Sequence, residues 1–233
     1  MDDKKVEAFY AKVEKYGGWQ LVPAERVRSI FVEVLKPLEM GFVLAKRGHW
    51  ARQVDADIFH VIRIDALKGR GYGLSYGLSL SYVPYPYVPK LKWHRSLKSV
   101  SLDLREQPQV HLLNSAGSVA DTETYVANAL LGEKCFREEL ENAWTLCSQR
   151  IAAWFDSTRP FAGILAKCAQ HLDKSLSGPR YVPGARLVRA FTYAKTGRLT
   201  EAKLELDVFL NEYDEGLEAR ANLSAALDQV SSS

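Results

Sequence analysis

Asp55, Asp57, His60 and Asp65 are the first side chains whose types could hold a divalent metal or move a proton. A protein zinc site needs three or four such ligands converging on one point. The stretch 57–66 reads as a β-strand, on which successive side chains face opposite ways. His60 then shares a face with Ile58, Ile62 and Ile64, while Asp57 and Asp65 face away, so a shared site would need a bulge. Cys168 and His171 fall on adjacent helical turns, but two ligands do not make a zinc site. They read better as a buried cysteine and a helix-end histidine. No Gly-x-Ser-x-Gly elbow, His-Glu-x-x-His pair or Walker loop occurs. The expectation is a protein that is not an enzyme, with no catalytic residue, no metal and no cofactor; the alternative from this class is an uncharacterised enzyme whose site lies between sheet and helices.

Gly69, Gly71 and Gly73 invite a nucleotide-loop reading, but the third fingerprint glycine would fall at Tyr76. They also lie between two strands, where no helix N-terminus meets a phosphate. Arg70-Gly71-Tyr72-Gly73 matches the opening of an RNA-recognition strand, with Tyr72 at a stacking position. The match decays at Leu74, Ser75 and Gly77, and the order of elements is wrong for that fold. Nucleic acid is therefore the weaker alternative, carried by Arg70, Tyr72 and the basic loop that follows. That loop holds Lys90, Lys92, His94, Arg95 and Lys98 interleaved with Leu91 and Trp93, after the Pro- and Tyr-rich lead-in 84–89. It reads either as a solvated basic connection or as a rigid recognition surface, since aromatics and Arg dominate interface hot spots. The expected partner contacts are Tyr85, Tyr87, Trp93, His94 and Arg95.

The elements that must position this loop are legible from periodicity. Residues 71–82 alternate large apolar with very small side chains. Tyr72, Leu74, Tyr76, Leu78, Leu80 and Tyr82 share one face, leaving Gly and Ser on the other. At about twice the usual strand length of ~5–6 residues, this is the strand on which a sheet is built. Strand 57–66 precedes it through the turn at 68–71, and three prolines after Tyr82 are expected to end it. Short extended segments are expected over 41–53, and a further strand over 99–105. Val6, Phe9, Tyr10 and Val13 mark a first helix that stops at Gly17-Gly18. Val27, Ile30, Phe31, Val34, Leu35 and Leu38 mark a second, starting near Pro23 and ending before Pro37. Ser118-Val-Ala-Asp121 resembles a helix N-cap. Phe136, Leu140, Trp144, Cys147, Ile151 and Trp154 form a wide stripe on a long helix, with further helices near 159–174, 184–196, 199–213 and 215–230. Ala190, Tyr193, Gly197, Glu201 and Ala202 match the spacing of one tetratricopeptide hairpin, with no second copy.

Segregated strands and helices predict an α+β fold. The expected form is an antiparallel sheet of about four strands packed on helices, then a helical C-terminal region with one tetratricopeptide-like hairpin. The expected division is 1–116 for the helix-helix and sheet region and 117–233 for the helical region packed on it, which a single domain could contain. The chain has 233 residues, 47% hydrophobic and 25% charged, which is ordinary for a globular protein. Its net charge of +3 is too small to indicate nucleic acid or an anionic membrane. Charges interrupt every apolar run before the ~18–20 residues needed to span a bilayer. Without a signal-like h-region, and with three loosely spaced cysteines, the expected place is the cytoplasm.

One further pattern is ordered across four elements. Leu35-Lys36-Pro37-Leu38 is followed by Gly41-Phe42, then Trp50-x-Arg52, then a hydrophobic hairpin rich in Gly and Tyr. This resembles the bacterial domain-of-unknown-function 4304 family over about residues 24–110, together with the helix at 133–155. The resemblance carries over no catalytic residue. It implies a cytoplasmic binding protein of the kind found beside secreted toxins, an immunity protein acting on a protein partner.

Overall fold

A computed structural model describes residues 3–37, 39–46, 48–66, 71–87, 90–106, 127–174, 184–212 and 217–232. Of the side chains within elements, those of 3–5, 8–9, 87, 90, 128, 174 and 217–219 lie outside that description. The fold is α+β, as expected. An antiparallel sheet runs in the order β1 (Val43–Lys46), β2 (His49–Gln53), β3 (Ile58–Ala66), β4 (Gly71–Leu80) and β7 (Leu104–Glu106). A short strand β8 (Ala127–Asn128) also pairs with β4, and β5 (Pro84–Tyr87) pairs with β6 (Lys90–Trp93) in a separate ladder. The helices are α1 (Asp3–Lys15), α2 (Ala24–Leu35), α3 (Gly132–Ser157), α4 (Phe161–Lys174), α5 (Gly184–Lys195), α6 (Leu199–Glu212) and α7 (Leu217–Ser231).

The chain divides into two compact units, each assembled from three separated segments. The first takes Met1–Trp50, Ile62–Tyr76 and Gln107–Ala152; the second takes Ala51–Val61, Gly77–Glu106 and Ala153–Ser233. The expected boundary at 116–117 lies outside the described residues, as do the turn at 68–70, Leu38 and the Ser118–Asp121 cap.

In the first unit α2 buries Val27, Ile30, Phe31 and Leu35, the stripe its sequence spells out. Phe31 meets Phe136 of α3, with ring centroids 6.0 Å apart, and Tyr72 meets the same ring edge-on at 5.8 Å. The stripe of α1 is narrower than expected, because Tyr10 is exposed. On the surface, Arg26 and Arg137 interleave with Glu33 and Glu133 between α2 and α3. Exposed pairs of this kind contribute little to stability. The end of α2 is more informative. Lys36 adopts the left-handed conformation at φ 46°, and its N–H donates to the Val32 carbonyl at 3.0 Å. An L-residue pays for that geometry, whereas glycine does not. Lys36→Gly is therefore expected to raise the unfolding free energy by about 1 kcal/mol, read from the urea midpoint at constant slope.

In the second unit α5 is the hub, packing against α4, α6 and α7. The three-residue turn from α5 to α6 passes through Gly197 at φ 75°, and Ala190 and Ala202 are fully buried. Arg198 lies over the Tyr193 ring at 4.3 Å and pairs with Glu201 at 2.9 Å. The small–aromatic–Gly–Glu–Ala spacing thus corresponds to one close helical hairpin.

At Gly77 the Gly/Ser face of β4 is closely approached by this chain's own residues 102–104. A Cβ placed on Gly77 would lie 2.0 Å from the Leu104 carbonyl oxygen and 3.0 Å from Leu102 Cδ2. The strand expected over 99–105 forms a ladder only from Leu104. Before it, side chains supplement a single backbone bond from Asp103 N to Leu78 O: Ser79 Oγ accepts from Ser101 N at 3.1 Å, and Asp103 Oδ2 accepts from Leu80 N at 2.7 Å. Leu97–Ser99 forms a 3₁₀ turn instead of strand. Asp103, on the nominally polar side of the alternation, is buried because its carboxylate does this work.

Candidate partner-binding face

The proline-rich segment after Tyr82 is a strand rather than the connection expected. Antiparallel pairing sets Pro84 opposite Trp93, Tyr85 opposite Lys92, Pro86 opposite Leu91, and Tyr87 opposite Lys90. Pro84 and Pro86 are two residues apart, so both missing N–H donors fall on the same side of β5. That side must be the one away from β6, which leaves the donors of Tyr85 and Tyr87 for the ladder. Alternating prolines thus permit an edge strand where consecutive ones would not.

Four of the five expected contact residues are placed together on this hairpin and its exit. Tyr85, half-buried, meets the His94 ring edge-on at 6.1 Å. His94 Nδ1–H donates to the Ser99 carbonyl, while its Nε2 is buried without a hydrogen-bond partner. Ser96 and Ser99 cap the 3₁₀ turn reciprocally and fix that carbonyl. Trp93 packs edge-on against Phe191 of α5 at 6.5 Å, and the exposed Arg95 guanidinium lies over the Trp93 ring at 4.5 Å. Tyr87 contributes its backbone to the ladder, and its side chain is outside the described residues.

Beside β6 opens a cleft of about 360 Å³ lined by Asp57, Ser81, Tyr82, Trp93, Arg95 and Lys195, with Val230 on its apolar wall. Asp57 Oδ2 pairs with Lys195 Nζ at 3.2 Å, and Ser81 Oγ donates to Asp57 Oδ1. Tyr82 and Thr192 hydroxyls lie 3.1 Å apart. Thr192 donates its own proton to the Val188 carbonyl at 2.7 Å, so Tyr82 is the donor between them. Burial drives the Tyr82 phenol far above its ordinary range, which keeps it a neutral donor. Asp57, Tyr82 and Lys195 were not legible as a group, because they come from a β2–β3 loop, the end of β4 and the last turn of α5.

The metal-like residues do not converge. Asp57 belongs to the cleft; Asp65 accepts from Ser75 and pairs with Arg63 at 2.6 Å. His60 is fully buried, stacked on Phe155 at 4.2 Å and 14°. Its Nδ1 accepts from Arg52 at 3.3 Å. Burial, then the cations Arg52 and Arg159, push the His60 pKa down to about 3. A histidine so shifted is a weak base at neutral pH. His171 pairs with Glu106 at 3.0 Å, and Cys168 is buried. Among the described residues no group of three His, Cys, Asp or Glu could hold a metal. All three thiols are buried, with burial raising Cys135 and Cys147 to about 11 and Cys168 to about 12. Such thiols are poor nucleophiles at neutral pH. Tyr72, the residue on which RNA stacking depended, is half-buried against Phe136, and Arg70 lies outside the described residues.

No family model, no curated protein and no solved structure matches this chain. No helix among the described residues is long and apolar enough to cross a membrane.

Proposed function

We propose that this protein acts without catalysis, by binding a protein partner stoichiometrically through the β5–β6 face, and that the partner is a bacterial toxin it neutralises in the cytoplasm. The observation that carries the binding reading is the gathering of Tyr85, Trp93, His94 and Arg95 on one proline-stiffened hairpin beside an open cleft. Rigid aromatics and arginine supply large contact area at small entropic cost and dominate interface energetics. The toxin as partner is supported by the Leu35-Lys36-Pro37, Gly41-Phe42 and Trp50-x-Arg52 resemblance. Buried free thiols fit a reducing compartment.

The test is co-expression with the product of the neighbouring gene in the native host. A one-to-one complex is expected, and Trp93→Ala or Tyr85→Ala is expected to weaken it about 30-fold, the effect of losing a hot-spot aromatic. A folded protein that forms no complex, or a complex indifferent to both substitutions, overturns the proposal.

A further inference from the structure

Of the charged groups lining the cleft, two are paired with each other and one is not. Asp57 has Lys195 and Ser81, and Tyr82 has Thr192. Arg95 instead lies over the Trp93 ring and has no carboxylate partner among the described residues. Arg95 and Lys195 set against Asp57 leave the lining one positive charge in excess. Stacking holds the guanidinium in one plane and leaves its N–H fork available. A carboxylate is the side-chain group that meets such a fork with two parallel charge-assisted hydrogen bonds. The volume, about 360 Å³, is at the small end of ligand sites and accommodates one or two side chains.

We propose that this cleft docks an acidic segment of the protein partner. A Glu or Asp carboxylate of that segment binds Arg95, and the apolar part of the segment lies against Trp93 and Val230. The inference rests on the reading of the hairpin as a partner-binding face, and its test needs no knowledge of the partner. The probe is the blocked peptide acetyl-Ser-Glu-Leu-Glu-Gly-amide, with its Gln-for-Glu counterpart as control. Each is titrated into the full chain at low salt while the Trp93 indole N–H resonance is followed.

The acidic peptide is expected to shift that resonance saturably, at least about tenfold more tightly than the control, and to weaken as salt rises. Arg95→Gln is expected to erase the tenfold preference, and Arg95→Glu to transfer it to a Lys-bearing peptide. Because Arg95 is exposed, both variants should keep the wild-type fold, and each is referenced to its own free Trp93 indole resonance, which loss of the overlying guanidinium displaces. Equal shifts from both peptides, no saturable shift, or a preference that survives Arg95→Gln overturns the inference. Two results separate it from the broader reading. Partner binding that depends on Trp93 without any peptide preference removes only the acidic segment. A peptide preference with partner binding indifferent to Tyr85→Ala and Trp93→Ala removes only the partner face.

Discussion

Gly77→Ala is expected to destabilise the fold by about 3 kcal/mol, at the upper end of overpacking costs. The added methyl would meet the Leu104 carbonyl oxygen at 2.0 Å, well inside any van der Waals contact. That oxygen belongs to backbone, so no side-chain rotation relieves the clash. Relief requires residues 102–104 to retreat from β4, which breaks the bond from Asp103 N to Leu78 O at 2.8 Å and displaces the Asp103 carboxylate from Leu80 N. Leaving that buried carboxylate and amide unsatisfied adds to the steric cost. Urea unfolding monitored by tryptophan fluorescence measures it. A midpoint within experimental error of the wild type would show that the approach of 102–104 to Gly77 is not as described.

His60 should make stability fall steeply on acidification. Folded, its pKa is about 3; unfolded, it returns to about 6.5. Between those values the unfolded state binds the extra proton, so stability rises with pH and is fully present above about 6.5. As pH falls below 6.5 this group removes about 1.4 kcal/mol per pH unit until its folded pKa is reached. The physical cause is specific: protonation would put a proton on Nδ1, which faces the Arg52 guanidinium in a site without water access. Carboxylates elsewhere add their own acid dependence, so the informative quantity is the difference from His60→Gln. Between pH 7 and 4.5 the wild type is expected to lose about 2–3 kcal/mol more than that variant. The His60 ring resonances should also stay in their neutral form through pH 4.5. Titration of those resonances near 6.5 would contradict the buried, cation-flanked placement.

The sequence carried α2 and α3 well, through apolar stripes and, for α2, a physical start and stop. Pro23 opens α2 and the Lys36-Pro37 step closes it; the Phe136-to-Trp154 stripe marks α3 over its whole length. β3 and β4 were equally legible from alternation. What failed were two places where a local rule has an exception supplied by pairing. Prolines argue against a strand, yet two of them at a spacing of two leave β5 one intact hydrogen-bonding edge. The alternation over 99–105 argues for a strand, yet Ser79 and Asp103 satisfy the first part through side chains, so the ladder starts late.

The proposed binding face was half legible. Tyr85, Trp93, His94 and Arg95 stood out as aromatics and cations in one short stretch, and the structure gathers them. The cleft beside them was not, since Asp57 meets Lys195 only after β4 and α5 have brought distant parts of the chain together. An ion pair between residues so far apart leaves no local trace in composition or spacing.

The central claim is that this protein works by occupying a partner through the β5–β6 face. Survival of host cells expressing the neighbouring gene, whose product the proposal takes to be the toxin, tests it most directly, with wild type, Tyr85→Ala, Arg95→Ala and His60→Gln compared at matched levels of folded protein. Wild type and His60→Gln should protect, while Tyr85→Ala and Arg95→Ala should lose protection even though the folded protein is matched. Protection by all four, or by none, would contradict it.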